Sequence, residues 1–92
     1  TILEAERVPK TKKLLKLKVD TGFDQRTVVS GIAEHYAPEA IIGKKVSILV
    51  NLAPKSLKGI ESNGMILMAE NQVGKLCFVS PTEDFNNGSD IK

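Results

Sequence analysis

Strict alternation of apolar and charged residues over residues 15–20 constrains the fold more than any other feature. In this segment, LKLKVD, leucine or valine alternates with lysine or aspartate. A period of two predicts a β-strand with one buried face and one face in water. Residues 20–24 are typical of a turn, and the β-branched residues 26–30 predict a second strand that closes a hairpin. We therefore expect a fold built on a sheet.

Shorter apolar runs predict the remaining elements. An alternating pattern through residues 46–50 and two apolar runs at 65–69 and 76–79 indicate further strands. Only residues 37–42 are typical of a helix, a short one that Gly43 would end. Five or so short strands with one small helix between them predict an all-β, five-stranded Greek-key barrel of the oligonucleotide/oligosaccharide-binding (OB) type. An SH3-like barrel is the main alternative.

Length and composition indicate one small globular domain. The 92 residues are 41% hydrophobic and 26% charged, as in an ordinary folded protein. A chain of this size buries only about 60–65% of its unfolded surface, so we expect self-association to add to its stability. We predict a barrel core in residues 1–70 and a C-terminal extension in residues 71–92. The apolar residues of the extension have little to pack against in a five-stranded barrel. We therefore expect the chain to form a homodimer through this extension.

The ends of the chain and its single cysteine give expectations about its origin. The chain starts at Thr1 rather than at a methionine, which predicts a piece excised from a longer polypeptide. No apolar run approaches the ~20 residues of a membrane span, so no membrane partner is expected. Cys77 is the single cysteine, so no internal disulfide can form and a cytoplasmic location is the simpler expectation.

The sequence offers no set of catalytic or metal-binding side chains. His35 is the single histidine, so one chain cannot assemble a His/Cys metal site. We expect His35 on the surface before the helix, and Cys77, which lies in an apolar run, as a core thiol. No P-loop and no dinucleotide-binding G-x-G-x-x-G pattern occurs. We therefore predict a domain without enzymatic activity, metal or cofactor.

Positive charge is concentrated in the first two thirds of the chain. Residues 1–58 carry eleven Lys and Arg against six Asp and Glu, a balance of +5, whereas residues 59–92 carry two against five, a balance of −3. Residues 7–18 contain six basic and no acidic side chains, and a second acid-free segment, residues 40–60, contains Lys55 and Lys58. Together these segments predict a local positive field that attracts phosphates.

Residues 51–68, NLAPKSLKGIESNGMILM, add small polar residues to that charge. Ser62, Asn63 and Gly64 lead into an apolar run, so backbone donors would lie beside cationic side chains at a strand. Aromatic residues make up only 4% of the chain, which leaves few for the base-stacking platform of a single-strand binder. We therefore expect a partner whose backbone and shape count more than its bases, and a folded RNA fits this description.

Several motifs in a fixed order resemble the tRNA-binding OB domain that is appended to bacterial methionyl-tRNA synthetases. They are ILEAERVP at residues 2–9, KLLKLKVDTG at 13–22, RTVVSGI at 26–32, and NLAPK followed by GIESNGM within 51–65. The same domain recurs in stand-alone tRNA-binding proteins and in the endothelial monocyte-activating polypeptide. The resemblance covers residues 2 to about 69 and continues more weakly over 76–92. The first two motifs are most similar to the synthetase version.

The resemblance implies an RNA-binding face made of cations and neutral hydrogen-bonding groups. Arg26, Lys55 and Lys58 would contact phosphates. Three positions have structural alternatives: Ser62 would pin a turn, Asn51 would satisfy a loop carbonyl, and Met65 would pack in the barrel core. The predicted tRNA-binding residues are Lys12, Lys13, Arg26, Asn51, Lys55, Lys58, Ser62, Asn63 and Met65.

We therefore predict a non-catalytic domain that binds tRNA largely independently of sequence. It would keep tRNA near the catalytic domain of a methionyl-tRNA synthetase, which lies outside these residues. One alternative is a stand-alone tRNA-binding protein with a chaperone-like function. Another is a protein-interaction module that docks an acidic partner through the same lysines. The expected partners are tRNA, a second copy of the chain and the synthetase catalytic domain.

Overall fold

A computed structural model describes residues 1–51, 53–81, 83 and 86–89. Leu52 of the NLAPK motif and part of the predicted extension, including Phe85 and Ile91, lie outside the described residues. The described part is mostly β with one short helix, as predicted. Its elements are β1 (Ile2–Arg7), β2 (Leu15–Asp20), β3 (Gln25–Ser30), α1 (Pro38–Ile41), β4 (Ile48–Leu49), β5 (Lys55–Leu57), β6 (Ile60–Ser62), β7 (Met65–Ile66), β8 (Met68–Glu70) and β9 (Leu76–Phe78).

The first three strands form an antiparallel sheet in the order β1-β2-β3. Leu17, at the centre of β2, lies opposite Ala5 of β1 and Val28 of β3. Leu15, Leu17 and Val19 are almost completely buried, while the lysines between them lie on the other face. The predicted hairpin is confirmed, because a strict period of two can place its apolar residues on only one side of a sheet.

The core lies under that buried face and is closed by α1. Ile41 of the helix is fully buried against the sheet. Gly43 follows the helix with a φ of 91°, as predicted for a residue that ends it. The amide of Gly43 donates to the carbonyl of Ile2, and the amide of Ile2 donates to the carbonyl of Lys44. The buried residues of the core are Ile2, Leu15, Leu17, Val19, Val28, Ile32, Ala33, Ile41 and Ile66.

The strand predicted through residues 46–50 is shorter than expected. Only Ile48 and Leu49 pair in a ladder, with strand β7 as their neighbour. The carbonyl of Val50 accepts a hydrogen bond from the side chain of Arg26 at 2.8 Å. The prediction was wrong in length, and beyond Leu49 the chain bonds to a side chain and not to a neighbouring strand.

The run predicted as one strand at residues 65–69 is divided into two. β7 pairs with β4, whereas β8 pairs with β9, so the chain changes partner at Leu67. The predicted strand at 76–79 ends at Phe78, and the carbonyl of Val79 accepts from the hydroxyl of Ser47 at 2.6 Å. The described residues contain nine strands, where the sequence predicted five or so, because the 65–69 run is divided and the β5–β6 hairpin was not predicted. The closed five-stranded barrel stays a prediction.

Part of the predicted extension packs against its own chain. The ring of Phe78 lies 4.9 Å from that of Tyr36, centroid to centroid, and the Tyr36 hydroxyl donates to the carbonyl of Leu76. Further along, Asn87 lies so close to Gly22 that a Cβ on this glycine would overlap the Asn87 carbonyl. The expectation that apolar residues of the extension lack intramolecular partners is therefore wrong for Leu76 and Phe78, which pack against the core.

Candidate nucleic-acid interface

The segment that the sequence presents as an acid-free loop contains a β-hairpin. In the β5–β6 pair, Lys55 lies opposite Ser62 and Leu57 opposite Ile60, so residues 58 and 59 form a two-residue turn. The φ angles of this turn are 51° and 79°, and hairpin turns with two positive φ angles strongly favour Asn-Gly. The alternating residues around Gly59 were the available sequence signal for this hairpin.

Lys58 has a backbone conformation that lysine rarely adopts. A left-handed φ costs a residue with a Cβ roughly 1–2 kcal/mol. Among the described residues, Lys58 and Lys10 are the two non-glycine residues with positive φ, and both are exposed lysines in tight turns. Backbone strain of this kind concentrates at functional sites. Lys10, in the β1–β2 loop, is therefore a candidate contact that the sequence prediction did not select, because its backbone angle leaves no local signal.

The β1–β2 loop and the tip of the β5–β6 hairpin leave the sheet at the same end. Because Arg7 lies opposite Leu15, and Leu15 opposite Ser30, the β1–β2 loop starts at the Ser30 end of β3. The hydroxyl of Ser62 binds the amide of Val29, and the amide of residue 63 binds the carbonyl of residue 27. β6 therefore runs antiparallel beside β3, and its first residue, which follows the turn, points toward that same end.

Four exposed lysines lie in these two segments, namely Lys10, Lys12, Lys13 and Lys58, and a fifth, Lys55, lies at the base of the hairpin opposite Ser62. None of them forms an ion pair with another residue in the described part of the chain. Their ammonium groups are therefore available to an anion. Because flexible ammonium groups act as point charges without a fixed fork geometry, they suit phosphates better than base edges.

Lys16 and Lys18 contribute less to the positive surface than the sequence suggests. Their ammonium groups lie 3.7 and 3.8 Å from the carboxylates of Glu6 and Glu4, respectively, on the neighbouring strand. Such exposed pairs add little stability, but each places a negative charge beside a positive one. The positive field predicted for the whole of residues 7–18 is therefore concentrated in the loop.

Arg26 is engaged within the protein. Its Nε lies 3.3 Å from both carboxylate oxygens of Asp24, and its Nη1 donates to the carbonyls of Val50 at 2.8 Å and Asn63 at 3.0 Å. The side chain is 29% exposed. Hydrogen bonds from the Thr21 hydroxyl and then from Arg26 lower the pKa of Asp24, so its carboxylate stays ionised opposite the guanidinium.

The Ser62 hydroxyl faces inward. The residue is 5% exposed, and its oxygen accepts from the amide of Val29 at 3.0 Å and donates to the carbonyl of Gly64 at 3.2 Å. A buried amide left without an acceptor is costly, so this hydroxyl joins β6 to β3. Among the predicted tRNA-binding residues, Ser62 has the geometry of its structural alternative, a residue that pins a turn.

The other three predicted contacts lie around the base of the hairpin. Asn51 is exposed, directly after the carbonyl that Arg26 binds. Asn63 is partly buried, and its backbone bonds to β3 and to Arg26. Met65 is 48% exposed, so the alternative prediction, that Met65 packs in the barrel core, is wrong. It lies on the outer face of the short β4–β7 pair, opposite Leu49.

The described residues show no assembly of catalytic groups. No cluster of three or more His, Cys, Asp or Glu side chains in this part of the chain could hold a metal ion. Cys77 is exposed, which corrects the expectation of a core thiol, because Leu76 and Phe78 on either side of it take the inward positions. His35 is exposed before the helix, as predicted. Within the same residues, no helix has the length and hydrophobicity needed to span a membrane.

A mostly β fold whose exposed lysines at one end of the sheet have no ion-pair partner among the described residues suits a nucleic-acid-binding module, and comparison with known families gives the class. The chain belongs to the family described as "Putative tRNA binding domain", whose model matches residues 1–90. It is homologous to the C-terminal region of bacterial methionine–tRNA ligases.

The individual relatives agree with this membership. A methionine–tRNA ligase of Christiangramia forsetii is 69% identical over 84 residues, which is 91% of this chain and 12% of the ligase. A methionine–tRNA ligase of Parabacteroides distasonis is 52% identical over 92 residues, all of this chain and 14% of the ligase. The chain thus spans about an eighth of the length of the ligases it matches.

Solved structures share the fold over nearly the whole chain. A protein related to methionyl-tRNA synthetase (MetRS) from Pyrococcus horikoshii superposes with a TM-score of 0.92 at 42% identity, covering 99% of this chain and 84% of that one. The chaperone CsaA from Bacillus anthracis superposes with a TM-score of 0.88 at 27% identity, covering 100% and 85%. The recognition of the family from sequence motifs is confirmed.

Proposed function

We propose that this domain binds tRNA through its phosphates, largely independently of sequence, and so retains tRNA at a methionine–tRNA ligase during aminoacylation. The observation that carries the proposal is the presence of exposed lysines, without ion-pair partners in the described part of the chain, in two chain segments that meet one end of the sheet. Lys10 and Lys58 hold their positions there at a cost in backbone energy. Family membership supplies the class of nucleic acid.

The mechanism is an increase in effective concentration. A ligase that carries a second, weak tRNA site keeps a dissociated tRNA near its catalytic domain, so that rebinding becomes nearly intramolecular. Weak contacts to phosphates suit this role, because they are sequence-tolerant and release rapidly. The catalytic domain would be supplied by the remainder of the ligase, outside these 92 residues.

Substitution of one lysine in the interface and one outside it tests the binding mode. Lys58→Ala should weaken binding by a similar factor for several tRNA sequences and lower the slope of log K against log salt by roughly 0.7–0.9. Lys75→Ala, an exposed lysine in the β8–β9 turn, should change neither. Binding isotherms at three or more salt concentrations measure both quantities. Equal losses in the two variants would indicate a diffuse effect of net charge and would contradict the proposal.

Retention during catalysis requires a second measurement in the full ligase. There, Lys58→Ala should raise the KM for tRNA while leaving the kcat nearly unchanged, because the lysine contributes to binding and not to the chemical step. Wild-type KM values in a variant that binds tRNA more weakly as an isolated domain would refute the retention role. They would leave tRNA binding itself intact.

We also infer that the domain is a cytoplasmic homodimer in which residues 71–92 contribute to the interface. In support, Leu49, Val50, Met65 and Val79 are all between 36% and 48% exposed. Leu49 and Met65 lie opposite each other in the β4–β7 pair, and Val79 is hydrogen-bonded to Ser47, two residues before Leu49. This apolar surface would be covered by a second copy.

Sedimentation at micromolar concentration tests the dimer without RNA. The wild-type chain should sediment with twice its mass, and removal of residues 81–92 or Met65→Glu should shift it toward monomer. Ile42→Glu is the matched control, since Ile42 is 50% exposed after α1 and belongs neither to that apolar surface nor to residues 71–92. A wild-type chain that sediments as a monomer would contradict the inference.

A further inference from the structure

One side chain, that of Arg26, bonds to both sides of the base of the β5–β6 hairpin. Arg26 donates from one nitrogen, Nη1, to the carbonyl of Val50, before the hairpin, and to the carbonyl of Asn63, directly after it. Both chain segments that lead into the hairpin are therefore joined to β3 through the same guanidinium. The opposite side of the guanidinium is fixed by the carboxylate of Asp24, in the turn before β3.

The hairpin has few other means of holding its orientation. Leu57 and Ile60, its two large apolar residues, are only partly buried, and Lys55, Ser56 and Lys58 are exposed. Elements with little buried apolar surface open easily. Besides Arg26, the described bonds between the hairpin and β3 are those of the Ser62 hydroxyl and the Asn63 amide, and both lie on the β6 side. β4 and β7, which pair Leu49 with Met65, hold the chain just outside the hairpin, and Arg26 is the described side chain that bonds to both sides inside that pair.

From this geometry we infer that Arg26 is a positioning residue, which orients Lys55 and Lys58 for tRNA, and that it is not itself a phosphate contact. The inference rests on the proposed function and reassigns one of its predicted phosphate ligands. A guanidinium suits this task because its planar, rigid donors can bind two carbonyls and one carboxylate at once, whereas a lysine ammonium has no such fork. To contact a phosphate through Nη1 or Nε, Arg26 would have to release the hairpin or Asp24, and of its nitrogens only Nη2 has no partner among the described residues.

The two roles predict different salt dependences. A residue that contacts a phosphate contributes to counterion release, so its loss lowers the slope of log K against log salt by roughly 0.7–0.9. Loss of a positioning residue leaves the lysine–phosphate contacts in place. The lysines must then be ordered when tRNA binds, which costs free energy. Affinity then falls with little change in slope.

Arg26→Lys and Arg26→Gln should each weaken tRNA binding about tenfold and keep the wild-type slope. Lys58→Ala, measured beside them, should lower the slope. Wild-type affinity in Arg26→Lys, together with a slope lowered by roughly 0.7–0.9 in Arg26→Gln, would overturn the inference and make Arg26 a phosphate contact.

Hydrogen exchange tests the positioning role without RNA. Both Arg26 variants should exchange the amides of residues 55–62 about tenfold faster than the wild-type chain, because the base of the hairpin opens. The amides of β2 should be unchanged and serve as the internal reference. Unchanged exchange in the hairpin would overturn the inference, and it remains decisive even if the wild-type chain fails to bind tRNA, which would refute only the proposed function.

A third variant covers the case in which neither Arg26 substitution folds. Asp24→Asn keeps the arginine and its charge but replaces the carboxylate that fixes one side of the guanidinium. Faster exchange of residues 55–62 in this variant supports the positioning role. Exchange at the wild-type rate throughout the hairpin overturns it.

Discussion

Lys58→Asn should make the protein more stable and its tRNA binding weaker. Lys58 and Gly59 form the two-residue turn of the β5–β6 hairpin with φ angles of 51° and 79°. Asparagine tolerates the left-handed region far better than lysine, and Asn-Gly is the preferred pair in such turns. The side chain is exposed, so the substitution removes no packing.

The size of the effect follows from the backbone. A left-handed conformation costs residues with a Cβ roughly 1–2 kcal/mol, and asparagine recovers part of this, about 0.5–1 kcal/mol. For a domain of this length, 1 kcal/mol corresponds to a change in Tm of about 4–8 °C. We therefore expect the Tm of Lys58→Asn to rise by about 2–8 °C. Binding should lose one phosphate contact, seen as a salt slope lower by roughly 0.7–0.9.

Thermal unfolding by circular dichroism and tRNA titrations at several salt concentrations measure the two effects in the same samples. Lys75→Asn controls for the change in net charge and should alter neither quantity. The opposite signs make the reasoning easy to refute. A lower Tm would show that Lys58 is not strained, and an unchanged salt slope would show that its ammonium group does not contact a phosphate.

Three further substitutions test contacts at the β5–β6 hairpin and at the β2–β3 turn. Ser62→Ala leaves a buried backbone amide without an acceptor and should destabilise the fold by about 1–3 kcal/mol, whereas the exposed Ser56→Ala in the same hairpin should have almost no effect. Equal urea midpoints for the two would refute the buried hydrogen bond. Gly22→Ala places a methyl group against the chain at a φ of 90°, so it should lower the Tm strongly, while Gly31→Ala, whose Cβ would meet nothing within 4 Å, should not. For Asp24 the folded-state pKa is lowered from 3.8, so its ionised carboxylate stabilises the fold above that pH and the effect is lost as the pH falls through the folded pKa. The Tm of Asp24→Asn should therefore lie below that of the wild type at pH 7, and the difference should shrink below pH 3.8; a constant difference would contradict this.

The sequence motifs predicted more about this protein than the patterns of charge and polarity did. The order of the motifs identified the family without any structure, and the comparisons confirm it. The charge pattern singled out segments whose Lys55 and Lys58 are exposed in the structure. It could not separate the lysines that stay unpaired from Lys16 and Lys18, which lie beside carboxylates of a neighbouring strand.

The sequence by itself determined the β1–β2–β3 framework, because its signal is local. A strand with a period of two buries one face whatever its neighbours are, so LKLKVD predicted which side chains enter the core. A glycine two residues after a short helix likewise predicted where that helix ends. The buried face of a strand and the end of a helix depend on adjacent residues, so they can be predicted without knowledge of the topology.

Only the tertiary structure decided which groups each polar residue of the site bonds to. Arg26 bonds to carbonyls 24 and 37 residues away, and Ser62 to an amide 33 residues away. Both resembled RNA contacts in sequence, since arginine and serine serve phosphates and backbone groups equally well. Met65 and Cys77 lie in apolar runs, yet they occupy the outward positions of two-stranded pairs. The pairing of distant segments decides which groups become neighbours and which face of a short strand is covered. No local sequence pattern encodes this pairing.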